Sequence, residues 1–219
     1  MSKNYGRMKT TTHLITIIVL LLASLVVYSK DGDTSPLAAY SAKWNDPKYR
    51  VCNTAEKVGY MTEKEKELIY VLNLARMNPK LFSETVLPRA HDISSFIDTS
   101  NEVYYKTLVT TMSQMTPLNI LQPDSLCMVS ARCHATTSGK VGYVGHERRN
   151  EKCRKSKHYY GECCNYGSDE PLEILLLLLE DHDVPSLGHR KICLGTYNKI
   201  GVAIAPHTAY GHNAVMDFY

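Results

Sequence analysis

Histidine and acidic residues that could share one site are spaced through the last third of the chain. His146 lies in Gly-His-Glu, Glu162 in Gly-Glu-Cys and His189 in Gly-His-Arg, while Asp181 and Asp183 follow a run of leucines. Two imidazoles with a nearby carboxylate can bind zinc or another divalent cation, relay protons, or simply hold loops together. Glu162 could also orient a bound water or accept a proton from an imidazole. Because no closely spaced motif such as His-x-x-x-His is present, spacing alone leaves these alternatives open.

The elements that must position these residues begin with two long helices. The segment Thr62–Glu65 is a capping box, and apolar residues follow it at helical spacing until Asn78-Pro79 ends the helix. Asp124 or Ser125 is predicted to cap a second helix, which Gly139 ends. On that second helix His134 could reach the site, although a packing role is favoured.

The second half of the chain changes from helical to strand patterning. Pro171 is placed to open a buried helix over 172–179, which is far too short to cross a membrane. Residues 140–169 are predicted to be loop-rich, and the charges of the basic stretch 148–157 to be solvated. Two strands are predicted around a turn at Gly211–Asn213, from the alternation of Ile200, Val202 and Ile204 and of Val215, Asp217 and Tyr219. Helices first and strands last indicate an α+β fold with helices on an antiparallel sheet.

The segment from Leu172 to Val202 carries a resemblance to a known family. Its helix leads into an aspartate-containing turn, then Gly-His-Arg, then a strand with Ile-Gly-Val. In this order it resembles the CAP superfamily, also called SCP-like extracellular domains, in its bacterial form. Four further matches occur in the family's order over residues 62–219. They are Leu72–Arg76 with Asn78-Pro79 (opening helix), Pro117-Leu118 with Leu126 and Ala131 (next helix), Gly145-His146 (first cavity histidine) and Gly161-Glu162-Cys163 (Gly-Glu-Asn motif).

This resemblance implies a fold and a site. The implied fold is a three-layer α-β-α sandwich with a central antiparallel sheet. The implied site is an open cavity holding two histidines and two acidic residues, which here are His146, Glu162, Asp181 and His189. His146 and His189 would be the metal ligands, and zinc or another divalent cation the cofactor. For the second acid, Asp181 is preferred over Glu180 and Asp183. Where the family has the asparagine of Gly-Glu-Asn this chain has Cys163, a candidate for a covalent bond.

The amino terminus has the pattern of a secretory signal peptide over residues 1–29. Three basic residues precede the uncharged apolar stretch Leu14–Tyr28, and small or polar residues follow it. Residues 30–61 are then expected to be a polar lead-in, and residues 62–219 the folded domain. Removing the signal peptide leaves 22 Lys and Arg against 22 Asp and Glu. A net charge of zero gives no support for nucleic-acid binding, and the predicted location is secreted, extracellular or periplasmic.

Seven cysteines in an exported chain predict disulfides. Three bridges with one cysteine left over are expected, and the sequence leaves the pairing open. The cysteines are Cys52, Cys127, Cys133, Cys153, Cys163, Cys164 and Cys193.

The resemblance favours a binding module with a metal-capable cavity over an enzyme. Its partner would be a lipid, sterol, glycan or protein, and membrane contact would come only through an uncleaved signal segment or surface association. The alternative is a secreted metal- or histidine-assisted hydrolase, peptidase-like, that uses Glu162 as its base. A surface protein in which the histidine and acid residues only stabilise loops is a third possibility.

Overall fold

Eight α-helices and a four-stranded sheet are found in the computed structural model, which describes Met1, residues 34–99 and residues 103–219. The signal peptide predicted over residues 1–29 lies, apart from Met1, outside the described residues. The helices are α1 Glu63–Met77, α2 Pro79–Thr85, α3 Ala90–Ile93, α4 Val103–Gln114, α5 Ser125–Val141, α6 Glu151–Lys155, α7 Pro171–Glu180 and α8 Gly188–Cys193. The strands are β1 Gln122–Pro123, β2 Gly161–Tyr166, β3 Lys199–His207 and β4 Gly211–Phe218. Among the described residues, no helix combines the length and apolar character that a membrane span requires.

The two long helices start where their capping residues predict. The Thr62 hydroxyl accepts from the amide of Glu65, and the Glu65 carboxylate accepts from the amide of Thr62, so the predicted capping box is confirmed. Asp124 caps α5 through its side chain alone, which accepts from the backbone amides of Leu126 and Cys127. The predicted end of α5 at Gly139 is wrong, because the helix continues to Val141 and ends at the left-handed Gly142.

The sheet has the strand order β1-β3-β4-β2 and is mixed rather than purely antiparallel. The three long strands β3, β4 and β2 are antiparallel, whereas the two-residue β1 runs parallel to β3. This agrees with the α+β class and corrects the expected all-antiparallel sheet. The predicted turn at Gly211–Asn213 is also wrong, since Gly211 opens β4 and the chain reverses three residues earlier, at Thr208–Tyr210.

Helices cover both faces of the sheet. Side chains alternate along β2, so Cys163 joins the main core while Cys164 joins a smaller cluster with Ala131 and Ala135 of α5. The helices α1, α7 and α8 contact the sheet and contribute to the main core. At Gly201 of β3 a Cβ would overlap the backbone of α5, so glycine is required there for the helix to lie this close. Glu162 and Cys164 therefore occupy the face that α5 covers.

The segment before α1 belongs to the folded unit, which spans Thr34–Tyr219. This differs from the expected polar lead-in at residues 30–61. Two short 3₁₀ helices, Ala42–Asn45 and Pro47–Cys52, bring the fully buried Trp44 and the nearly buried Tyr49 into the main core. Isolated large side chains without helical or strand periodicity give no pattern in the sequence, which is why the segment appeared to lie outside the domain.

The structure contains one disulfide, between Cys133 of α5 and Cys153 of α6. The expected three bridges are therefore not found, and the other five cysteines are buried free thiols. Two of these, Cys163 and Cys193, have sulfur atoms 3.9 Å apart, so the covalent bond anticipated for Cys163 is absent.

Candidate functional site

The structure brings together the four residues of the predicted cavity as two histidine–carboxylate pairs. Nδ1 of His146 lies 2.8 Å from Oε1 of Glu162, and Nδ1 of His189 lies 2.7 Å from Oδ1 of Asp181. The two imidazole rings have their centroids 6.1 Å apart. Both acids are buried, whereas 55% of the His146 side chain and 24% of the His189 side chain are exposed. The four residues are called the quartet below.

Each quartet residue is held by a different element. His146 lies in the loop between α5 and α6, Glu162 is on β2, Asp181 follows the last residue of α7, and His189 is in the first turn of α8. Glu162 was expected on a loop within 140–169, and its position in a strand corrects that prediction. The strand was hidden because Gly161 and the two cysteines do not alternate with polar residues.

Asp181 is the acid that pairs with His189, as preferred over Glu180 and Asp183. It has a positive φ of 57° and closes α7 in a left-handed conformation, which aspartate tolerates better than most residues. Its second oxygen accepts from the backbone amide of His189 at 2.9 Å. Asp183 also has a positive φ, but 86% of its side chain is exposed. The carboxylate of Asp181 thus fixes both the start of α8 and the ring of His189.

Both histidines present the arrangement of metal-binding imidazoles. A carboxylate at Nδ1 accepts the proton there, so the neutral ring carries its lone pair at Nε2. No hydrogen-bond partner is found for Nε2 of His146 or His189 within the part of the chain that the structure describes. Two imidazole Nε2 atoms are ligands that suit zinc. Glu162 and Asp181 would not contact the cation but would hold the two rings in place through Nδ1. The residues present therefore fit the cation that the sequence implies.

A buried ionic network lies behind Glu162. The guanidinium of Arg148 is paired with Glu162 and lies 3.4 Å from Oδ2 of Asp217, and all three side chains are at most 3% exposed. Burial alone would raise the pKa of Glu162, but hydrogen bonds from His146, Arg148 and Asp217 lower that pKa to about 2. Burial and the neighbouring charge of Glu162 raise the pKa of Asp217 to about 9. Near neutral pH the network thus holds one ionised carboxylate, one guanidinium and one protonated carboxyl group.

Sequence reasoning missed Arg148, Asp217 and Cys164. Arg148 was expected among the solvated charges of 148–157, yet it is 4% exposed and its guanidinium lies over the ring of Tyr159. Asp217 faces Glu162 because the two are direct partners in the β2–β4 register. Strand register between residues 55 positions apart leaves no local signal in the sequence. The charged residue at 217 inside an apolar alternation was the one available hint.

A cavity of about 690 Å³ adjoins one side of the quartet. Asp181, His189 and Cys164 are on its wall, whereas His146 and Glu162 are not. Much of the remaining lining is apolar or aromatic, from Phe96, Tyr166, Leu177, Leu178, Val184 and Tyr210. The space therefore combines polar groups with a largely apolar surface, as ligand pockets commonly do.

Comparison with known proteins adds no relative. No family model, no curated protein and no solved structure matches this chain.

Proposed function

We propose that this chain is a secreted CAP-type (SCP-like) protein whose domain binds a divalent cation and a ligand at the quartet. The observation that carries the proposal is the pair of Nδ1-held imidazoles 6.1 Å apart, formed by the same residues that the motif order selects. The proposed architecture is the family's three-layer α-β-α sandwich. Helices on both faces of an α+β sheet support it.

The proposed role is binding rather than catalysis. The cation would be held by Nε2 of His146 and His189, and when bound it would supply positive charge to an anionic or polar group of the ligand. Among lipid, sterol, glycan and protein ligands, the apolar lining of the cavity favours one with an apolar part. Nucleic acid is not a proposed partner. Membrane contact is proposed only through an uncleaved signal segment or surface association, and the location is extracellular or periplasmic.

Zinc titration by calorimetry tests the cation site. We expect the parent to bind zinc, and His146→Ala and His189→Ala each to weaken that binding by roughly tenfold or more because each removes one ligand. His212→Ala, at the start of β4, is the matched control and should bind as the parent does. Equal zinc affinity in all four proteins would contradict the proposed site.

The second candidate function is a peptidase-like hydrolase with Glu162 as the base. Its support is the histidine and acid set beside an open cavity. Against it, Glu162 already accepts from His146 and Arg148, and a pKa of about 2 makes its carboxylate a weak base. Incubation of the zinc-loaded protein with a mixed peptide library distinguishes the two functions. Turnover that disappears in Glu162→Gln would favour the hydrolase, whereas no turnover by the parent would favour the binding module.

A further inference from the structure

A second group of possible metal ligands lies beneath the quartet, between α5 and β2. It consists of His134, Glu162 and Cys164, which we call the inner cluster. One nitrogen, one carboxylate oxygen and one sulfur from these residues lie within 4.8 Å of one another, and all three residues are buried. Only Glu162 is shared with the quartet. The inner cluster adds a thiol and a third imidazole, neither of which the proposed cavity site uses.

His134 has a nitrogen that is buried without a partner. Its Nε2 lies 2.9 Å from the carbonyl oxygen of Gly145, and a carbonyl can only accept, so the proton must be on Nε2. The lone pair of the neutral ring is then on Nδ1. This atom is fully buried and has no hydrogen-bond partner among the described residues. Because buried polar atoms are nearly always satisfied, this nitrogen is available as a metal ligand, on a residue that is grouped with the thiol of Cys164 and the carboxylate of Glu162.

Cys164 supplies the thiol of the inner cluster and connects the cluster to the cavity. Cys164 is on the wall of the cavity, so an ion could approach the inner cluster from that side. Its Sγ also lies 3.7 Å from Nδ1 of His146. That nitrogen is already bonded to Glu162, so the geometry does not form a cysteine–histidine nucleophile acting through a free ring nitrogen. Thiolate with imidazole and carboxylate is instead a ligand set typical of zinc.

We propose that the inner cluster is a zinc site, with Nδ1 of His134, Sγ of Cys164 and a carboxylate oxygen of Glu162 as ligands. On binding, the S–H bond of Cys164 breaks, a Zn–S bond forms and the proton passes to solvent. The positive charge of Arg148 opposes a cation here, and the carboxylate of Glu162 with the new thiolate offsets it. Three protein ligands leave a fourth position for water or a ligand from the cavity. This proposal is independent of zinc binding by His189.

Cobalt(II) titration of the purified protein, with the Cys133–Cys153 disulfide intact, tests the proposal, because cobalt replaces zinc and reports its ligands. Cobalt bound to a thiolate gives a charge-transfer absorption band in the near ultraviolet, which histidine and carboxylate ligands do not give. We expect this band in the parent and expect zinc to abolish it by displacing cobalt. It should disappear in Cys164→Ser and fall strongly in His134→Gln, while His189→Ala should retain it.

Matched controls distinguish binding at the inner cluster from binding at other thiols and at the quartet. Cys52→Ser removes another buried free thiol, one that lies outside every group of possible metal ligands among the described residues, and should keep the band. Circular dichroism establishes that each variant is folded, and alkylation of the folded parent gives a readout without mutation, since zinc should slow modification of Cys164. No band in the parent, or a band unchanged in Cys164→Ser, would overturn the proposal. A band lost in His189→Ala would also overturn it, by placing the cation in the quartet.

Discussion

Glu162 and Asp217 are two carboxyl groups in one buried network, yet their environments shift their pKa values in opposite directions. Glu162 accepts from His146, Arg148 and Asp217, which outweighs burial and lowers its pKa to about 2. Asp217 is fully buried beside that negative charge, and its pKa rises to about 9. Because both carboxyl groups lie beside the single guanidinium of Arg148, one of them stays protonated, and this one is Asp217. Glu162 is therefore the ionised carboxylate of the network, and it is the one that accepts from Nδ1 of His146.

The protonated Asp217 makes the stability of the fold depend on pH. Its folded pKa lies above the unfolded value near 4, so its stabilising contribution is present below about pH 4 and is lost as pH rises toward 9. Asp217→Asn keeps a neutral side chain at every pH. We therefore expect the variant to gain stability relative to the parent as pH rises from about 5 to 8, by at most about 1.4 kcal/mol per pH unit. Urea unfolding at several pH values measures this, and parallel pH profiles for the two proteins would contradict it.

The quartet could be predicted from the sequence, whereas its network could not. Gly-His, Gly-Glu and Gly-His-Arg are short motifs from which the family resemblance predicted that His146, Glu162 and His189 lie together, and the structure places them together. Arg148 and Asp217 reach Glu162 through burial and through the register of β2 against β4. Whether a charged side chain is buried depends on which residues pack over it. The sequence of the basic stretch 148–157 therefore does not distinguish the buried Arg148 from its solvated neighbours.

At the scale of elements, the disulfide closes the loop that carries His146. Cys133 on α5 and Cys153 on α6 are 20 residues apart, and His146 lies between them. We expect the double variant Cys133→Ala/Cys153→Ala to lose about 3 kcal/mol of unfolding free energy, as loop-closure entropy predicts for this length. Zinc binding at the quartet should weaken as well, because the loop must be ordered on binding. Urea unfolding and calorimetry measure the two effects, and the parent under reducing conditions is the control. Unchanged stability in the variant would show that packing alone holds the loop.

The contact between α5 and the sheet depends on glycine in β3. A Cβ at Gly201 would overlap backbone atoms of Cys127 and Met128, so α5 would have to move away from the strand. We expect Gly201→Ala to destabilise the fold by roughly 1–3 kcal/mol or more, as overpacking does. Gly59→Ala is the matched control, since nothing lies within 4 Å of a Cβ built there. Urea unfolding compares the variants, and equal stability would mean that α5 is not tightly packed on β3.

At the scale of the whole molecule, local signals predicted the helices α1, α5 and α7 and the strands β3 and β4, whereas α6, α8 and β2 were not predicted. The caps at Thr62 and Asp124 are short-range hydrogen bonds, which a sequence displays directly. The strand β2 and the segment before α1 have no such signal. They are ordered by contacts with residues far along the chain, as when Asn73 of α1 donates to the carbonyls of Cys52 and Leu121. The boundary predicted at Thr62 therefore coincides with the first helix that has a periodic sequence pattern, whereas the folded unit already begins at Thr34.

Trp44 provides a test of whether the segment before α1 folds together with the rest. It is the only tryptophan of the chain, is fully buried, donates to Oγ1 of Thr85 at 3.0 Å and packs against Tyr49. We expect its fluorescence to shift to longer wavelength at the same urea concentration at which circular dichroism reports loss of the helices, as one cooperative unit requires. Trp44→Ala should cost about 3–5 kcal/mol, the usual effect of truncating a buried aromatic residue. Val51→Ala, at an exposed position of the same segment, should change stability by less than about 0.5 kcal/mol. A tryptophan transition at clearly lower urea than the helical transition would show that residues 34–61 detach first and that the domain proper begins at Thr62.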